Sequence, residues 1–239
     1  MGMTLKEIRE KTLPPAKRQT EKWDIWSYVN RPVSYVVTKW LLDTKISPTQ
    51  VTIWSVIACI PAFGFLSFGQ TTELMLLGWF FYFVWVVLDC VDGGLARCRE
   101  QSSKMGELWD AFGGYVCTVA VCFSAGIAAF YDVNKFEFGE SYWQIIIGAS
   151  TALFAILPRL IMQKKKNLNI DSDAVASLAD KHKFGITQLI AMNVISCGGM
   201  MQVFLLLSIL FHVINLFNIF YFVVMLLFMI KTLYALLKY

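Results

Sequence analysis

The sequence predicts an all-α integral membrane protein with six transmembrane helices and an N-terminal interfacial amphipathic helix. Three observations carry that expectation. The chain of 239 residues is 57% hydrophobic and only 16% charged, whereas a soluble domain carries about 25% charged residues; so apolar a chain is not disordered either. Six apolar runs lie near residues 49–68, 74–98, 106–131, 143–163, 185–211 and 215–237. Each approaches or exceeds the roughly 20 residues that a spanning helix needs, and none alternates as a strand would. The basic residues are distributed unevenly between the connecting segments, as loops on two sides of a membrane require.

The first 25 residues are polar, are interrupted by Pro14 and Pro15, and lack the apolar stretch of a secretory signal. Residues 26–45 mix apolar, aromatic and basic side chains, with Lys39 and Asp43 near the end. That mixture suits a helix lying in the interface, with Trp23, Trp26 and Trp40 as anchors. The chain therefore divides into an arm with its interfacial helix, 1–48, and a six-helix transmembrane catalytic domain, 49–239. Pro48 and Thr49 make a suitable opening turn for the first span. Six spans consume about 120 residues, which leaves no room for a second large soluble domain.

With the N-terminus cytoplasmic, Lys135 is the one member of the 21 Lys and Arg residues on the far side. The loop holding it, 132–142, is acidic, with Asp132, Glu137 and Glu140. The net charge of +4 is thus an orientation signal and implies no nucleic-acid partner. Lys164, Lys165 and Lys166 either contact anionic lipid head groups or serve that orientation alone. The six cysteines form no CxxC pair and read as reduced core residues.

Chemistry concentrates in LDCVDGGLARCREQSSKMGELWDAFGG, residues 88–114. Asp89 and Asp92 are three residues apart at the end of an apolar run, so they share a helix face. Asp110 lies four residues after Gly106 on the next helix, and an antiparallel hairpin brings the three acids together. Acids at membrane depth are costly and mark function. Three converging carboxylates call for a hard cation, Mg²⁺ or Mn²⁺; the alternative is pairing with Arg97, Arg99 and Lys104. Gly93, Gly94 and Ala96 strip side chains from this region. They serve either ligand approach or close packing of membrane helices.

The run Asp89-x-x-Asp92-Gly93-x-x-Ala96-Arg97, eight residues, then Gly106-x-x-x-Asp110, closely resembles the signature of the CDP-alcohol phosphotransferases. The resemblance fixes seven positions within 22 contiguous residues, and the NRP and ISPTQVT stretches agree with it. It implies a membrane transferase that takes a CDP-alcohol, such as CDP-diacylglycerol. The enzyme moves the substituted phosphate to an acceptor alcohol or lipid phosphate, in phospholipid or related membrane lipid synthesis, and releases CMP. It further implies Asp89, Asp92 and Asp110 as metal ligands and Gly93, Ala96 and Gly106 at the nucleotide, with Thr52 facing it. Arg97 becomes a phosphate contact, and the assembly a homodimer. The expected location is an integral membrane, the inner or plasma membrane in a bacterium, with the active site cytoplasmic.

The family pattern has a further Asp four residues after the third, which the resemblance makes the general base; here Gly114 occupies that position. Asp110 and Glu107 are the candidate catalytic residues. Three alternatives stand open. Glu107 acts as base, although it lies about 10 Å along the helix from position 114. Or the acceptor is already ionised and needs no base. Or the protein is a non-catalytic homologue that binds CDP-alcohols or lipids. Arg159 and Asn193, with Thr187 and Gln188 nearby, are candidate acceptor contacts; snorkelling and interhelical hydrogen bonds are the competing explanations. His182 and His212 fall near opposite faces and cannot share a site. The acids sit at one end and no inverted repeat is present, which opposes a transporter. No glycine-rich nucleotide loop precedes the first span, so the CDP donor is expected to be made elsewhere.

Overall fold

A computed structural model describes residues 3–13, 26–131, 142–168 and 185–237, and every regular element among them is helical. The helices are α1 (Leu5–Thr12), α2 (Ser27–Leu42), α3 (Pro48–Phe68), α4 (Thr72–Cys98), α5 (Lys104–Tyr131), α6 (Tyr142–Asn167), α7 (Ile186–Ile195), α8 (Met200–Leu210) and α9 (Ile214–Leu237). The acidic loop around Lys135, the paired prolines, Trp23 and His182 lie outside the described residues. Five helices, α3 to α6 and α9, are long and apolar enough to cross a membrane. The fold class expected from the sequence is the one observed.

The span expected at 185–211 is not one helix. It is α7 and α8, bent by 55° at a short break. Gly198 and Gly199 have poor helix propensity. A Cβ at Gly199 would also stand 2.7 Å from the carbonyl of Asn193, so the tight reversal there requires glycine. Breaking a helix at membrane depth strands backbone carbonyls, which must find donors within the protein. Three side chains supply them. Tyr221 of α9 donates to Val194 O at 3.0 Å, Gln202 Nε2 to Cys197 O at 3.1 Å, and Asn30 Nδ2 of α2 to Gly198 O at 3.5 Å.

Around this break the bundle closes. α3 packs on both α4 and α5, whereas α4 and α5, though consecutive, barely touch beyond their joining turn. α6 packs on α5 and α9. The α5–α6 contact is a glycine crossing, where a Cβ on Gly126 would come within 2.9 Å of Gly148 Cα. Asn218 Nδ2 of α9 donates to Gln144 of α6 at 2.8 Å inside the core. Cys117 and Cys197, 80 positions apart, bring their Sγ atoms to 3.3 Å as free thiols.

α2 runs lengthwise along α4 in the same direction. Trp26, just ahead of α2, meets Trp79 and Phe83, Thr38 faces Gly94, and Arg99 reaches Leu41 and Leu42. Its buried face is polar and small, made of Ser27, Asn30, Ser34 and Thr38, while Tyr28, Val29, Val33, Val36 and Trp40 point outward. The amphipathicity seen in the sequence is thus turned outward. Small hydroxyl residues allow close approach to α4, and the apolar face is left for lipid. α1 adds Ile8, fully buried, against the same end of α4.

Arg99, just past α4, ties these parts together. Its guanidinium donates to Leu41 O at 2.6 Å, Leu42 O at 3.2 Å, Thr44 O at 2.7 Å and Ile46 O at 2.5 Å. These are the last carbonyls of α2 and the loop leading into α3, acceptors that a helix end leaves without partners. Lys165 plays the matching part at the end of α9, where its ammonium donates to Leu236 O. That occupies one lysine of the 164–166 cluster with the protein itself. His212 takes φ 53° just past the end of α8, where Val213 N–H returns to Ser208 O at 2.8 Å.

Because Arg99 meets four carbonyls with a planar fork, Arg99→Ala is expected to cost about 1.5–3 kcal/mol. Arg99→Lys should recover only part of it. Thermal denaturation in detergent or nanodiscs measures both; an Arg99→Ala midpoint equal to wild type would contradict the clamp.

Candidate active site

The site forms where α4 ends and α5 begins. α4 closes with Glu100 at φ 57°, Glu100 N–H returning to Arg97 O at 3.4 Å and Gln101 N–H to Ala96 O at 2.9 Å. Ser103 then opens α5, its Oγ accepting from Gly106 N–H at 3.0 Å. The chain so reverses within a few residues that Asp110 returns to the level of Asp89 and Asp92. The two helices diverge from this turn, and the first turn of α3 fills the back of the wedge. That turn is held by a capping box in which Ser47 and Gln50 bond each other's backbone N–H groups.

Thr52 of α3 projects from there and donates to Asp92 Oδ2 at 2.6 Å, and Gly93 N–H donates to Asp92 Oδ1. Asp92 is only 4% exposed. A buried carboxylate needs such donors to offset its lost hydration. Thr52 therefore acts on the site through Asp92, a pairing across 40 positions that spacing alone does not reveal.

The wedge is a cavity of about 530 Å³. Asp89, Asp92, Asp110 and Glu107 line it together with Arg31, Arg97 and Lys104. Gly93, Ala96, Gly106 and Thr52 line it as well. The structure thus brings together every site residue expected from the motif, and it splits the glycine pair. Gly94 is a packing glycine: a Cβ there would stand 3.2 Å from both Thr12 and Thr38. Gly93 faces the cavity, and a Cβ there would meet the Arg97 guanidinium at 3.2 and 3.4 Å. Gly93 thus makes room for Arg97. Arg97 Nε is buried and has no hydrogen-bond partner among the described residues.

Of the cations considered as partners for the acids, Arg99 is taken up by the α2–α3 carbonyls instead. Arg159 and Asn193 do not line the cavity. Arg159 lies on α6, one residue after Pro158. Asn193 lies at the end of α7, its backbone carbonyl accepting from Ser196 N–H at 3.3 Å. At Gly114 a Cβ would meet nothing within 4 Å. Arg31 was not named as a site residue, although the NRP stretch that holds it, residues 30–32, agrees with the family resemblance.

Among the described residues no three Asp, Glu, His or Cys side chains converge closely enough to enclose an ion unaided. The donor set still suits Mg²⁺ or Mn²⁺, because Asp89, Asp92 and Asp110 supply only carboxylate oxygens to one cavity. Mg²⁺ is commonly held by one or two carboxylates with substrate phosphates completing its shell.

Two comparisons with known proteins bear on this geometry. Cholinephosphotransferase 1 of Danio rerio is 29% identical over 140 residues, which cover 50% of this chain and 37% of that protein. This chain therefore matches well under half of that relative's length. The CDP-alcohol phosphatidyltransferase family matches residues 45–230, from the loop before α3 to late in α9 and including both helices of the acidic wedge. On the strength of that match, the chain belongs to the CDP-alcohol phosphatidyltransferase family.

Proposed function

We propose that the protein transfers a substituted phosphate from a CDP-alcohol to an acceptor during membrane lipid synthesis, with CMP as the second product. The observation that carries this is one cavity lined by carboxylates, guanidinium groups and small residues together. Such a cavity suits a nucleoside diphosphate, whose charge calls for a carboxylate-held cation and for guanidinium donors. On this reading Asp89, Asp92 and Asp110 hold Mg²⁺ or Mn²⁺. The bound ion neutralises developing charge on the diphosphate.

Gly93, Ala96 and Gly106 leave the wall open for the nucleotide, and Arg97 takes a phosphate oxygen. Thr52 fixes Asp92 so that the carboxylate need not reorganise as charge develops. In the reaction an acceptor oxygen forms a bond to the phosphorus bearing the alcohol. The bond from that phosphorus to the bridging oxygen breaks, and its electron pair leaves with CMP. Positioning supplies most of what such a displacement needs.

An attacking hydroxyl must also lose a proton, and Gly114 offers no group to take it. The acceptor that suits this site is a phosphate monoester, whose oxygen is already ionised. Glu107, on the cavity, is the base available to a hydroxyl acceptor. A second reading draws on the same glycine: a protein that binds CDP-alcohols without turning them over. The distribution of basic residues supports a cavity open to the cytoplasm.

The test is CMP release by the protein in lipid, from CDP-diacylglycerol and from CDP-linked choline, with Mg²⁺ or Mn²⁺. Release is expected with phosphate acceptors and is expected to fall at least about 100-fold in Asp89→Asn. No release from either donor with any acceptor would contradict an enzyme. Gly114→Asp has space for its side chain and is expected to raise release with alcohol acceptors by about 100-fold or more, the scale of general-base catalysis. Should Gly114→Asp alone release CMP, the binding reading would replace the enzymatic one.

A further inference from the structure

We propose that Gln101, in the turn between the two acid-bearing helices, holds the cytosine edge of the nucleotide donor with its side-chain carboxamide. The inference rests on the donor reading above and deepens it. In that reading Asp89, Asp92, Asp110 and Arg97 serve the diphosphate and its metal ion, while Gly93, Ala96 and Gly106 have no side chain that can hydrogen-bond the base.

The way α4 ends puts Gln101 at the cavity. Arg99 caps the helix, Glu100 takes a left-handed φ of 57°, and two N–H groups then turn back, Glu100 to Arg97 O at 3.4 Å and Gln101 to Ala96 O at 2.9 Å. This closure folds the second residue past the cap back toward the last turn of the helix, and an apolar side chain commonly packs there. Here the residue is a glutamine, it is exposed, and it lines the cavity together with Ala96. Asp89, Gly93 and Ala96 follow one another at steps of four and three residues along one face of α4, and all three line the cavity. That face runs from the carboxylates to Ala96, against whose carbonyl Gln101 is bonded.

The chemistry of the side chain suits a base. A carboxamide presents a donor and an acceptor side by side. Cytosine presents the complementary pair, its 4-amino group donating beside the N3 acceptor. Gln101 carries the one carboxamide among the described residues that line the cavity, and that carboxamide makes no hydrogen bond among the described residues. Two hydroxyls of the lining are already engaged: Thr52 donates to Asp92 Oδ2 at 2.6 Å, and Ser103 Oγ accepts from Gly106 N–H at 3.0 Å. A carboxamide can also turn over to pair with uracil, so the contact is measured by removing the amino group of the base and not by exchanging one base for the other.

The test uses the full chain in nanodiscs with Mg²⁺. It titrates CDP, the CDP analogue whose base is pyrimidin-2-one and so lacks the 4-amino group, and pyrophosphate. Wild type should bind CDP about 3- to 10-fold more tightly than the analogue, the scale of one hydrogen bond. Gln101→Leu keeps the backbone N–H that closes α4; it should bind CDP and the analogue equally and pyrophosphate as wild type does. Gln101→Glu keeps an acceptor for the amino group and should keep the preference for CDP. A preference that survives in Gln101→Leu, or one that is lost in Gln101→Glu, would overturn the inference and leave the donor reading standing. So would wild type that binds CDP and the analogue equally, or a Gln101→Leu loss as large for pyrophosphate as for CDP. Wild type that binds neither nucleotide would remove the donor reading, and the role of Gln101 with it.

Discussion

A carboxylate buried at the end of a membrane helix must be held by donors, and the cavity end of this fold is built around that need. Asp92 is bonded by Thr52 at 2.6 Å and by Gly93 N–H. Thr52 is in place because Ser47 and Gln50 fix the first turn of α3. The loop before that turn is in place because Arg99 gathers the carbonyls of Leu41, Thr44 and Ile46. Arg99 itself follows Asp92 by seven residues, at the end of α4. The last turns of α4 therefore hold the first turn of α3 at two points, and the loop of contacts closes on itself. The remaining wall, α5, touches α4 little, so the wedge stays open toward Asp110.

The same rule, that no backbone polar group is left stranded in lipid, governs the broken span. α7 and α8 bend where Gly198 and Gly199 weaken the helix, and side chains from α2, α8 and α9 supply the missing donors. Asn30 thus serves the break, while its neighbour Arg31 lines the cavity. α2 couples the two regions although it precedes the family-matched segment.

Much of this was legible in the sequence. Long apolar runs decide between water and lipid as solvent, so the helical fold class and the five long spans followed from composition and length. The shared face of Asp89 and Asp92 followed from spacing, since residues three apart are neighbours on a helix, and the remaining motif residues followed from the family resemblance. What stayed hidden depends on neighbours. Gly93 and Gly94 are chemically identical, and only the elements packed on them separate an access glycine from a packing one. The Gly198–Gly199 pair was visible, but an apolar run with two glycines does not announce a 55° bend. Residues 26–45 showed amphipathicity without showing which face turns inward; hydroxyls on the buried face became intelligible only against Gly94 of α4. Arg99 read as one more cation near the acids, and its acceptors lie 53 to 58 positions away.

The central claim is that Asp89, Asp92 and Asp110 hold a divalent ion jointly with the phosphates of a cytidine diphosphate. Electron paramagnetic resonance of Mn²⁺ added to the full chain in lipid, with and without CDP, tests it directly. The account predicts weak Mn²⁺ binding by the protein alone, binding tightened by CDP, and loss of that tightening in Asp92→Asn. Mn²⁺ affinity that is indifferent to CDP, or tightening that survives in Asp92→Asn, would contradict it.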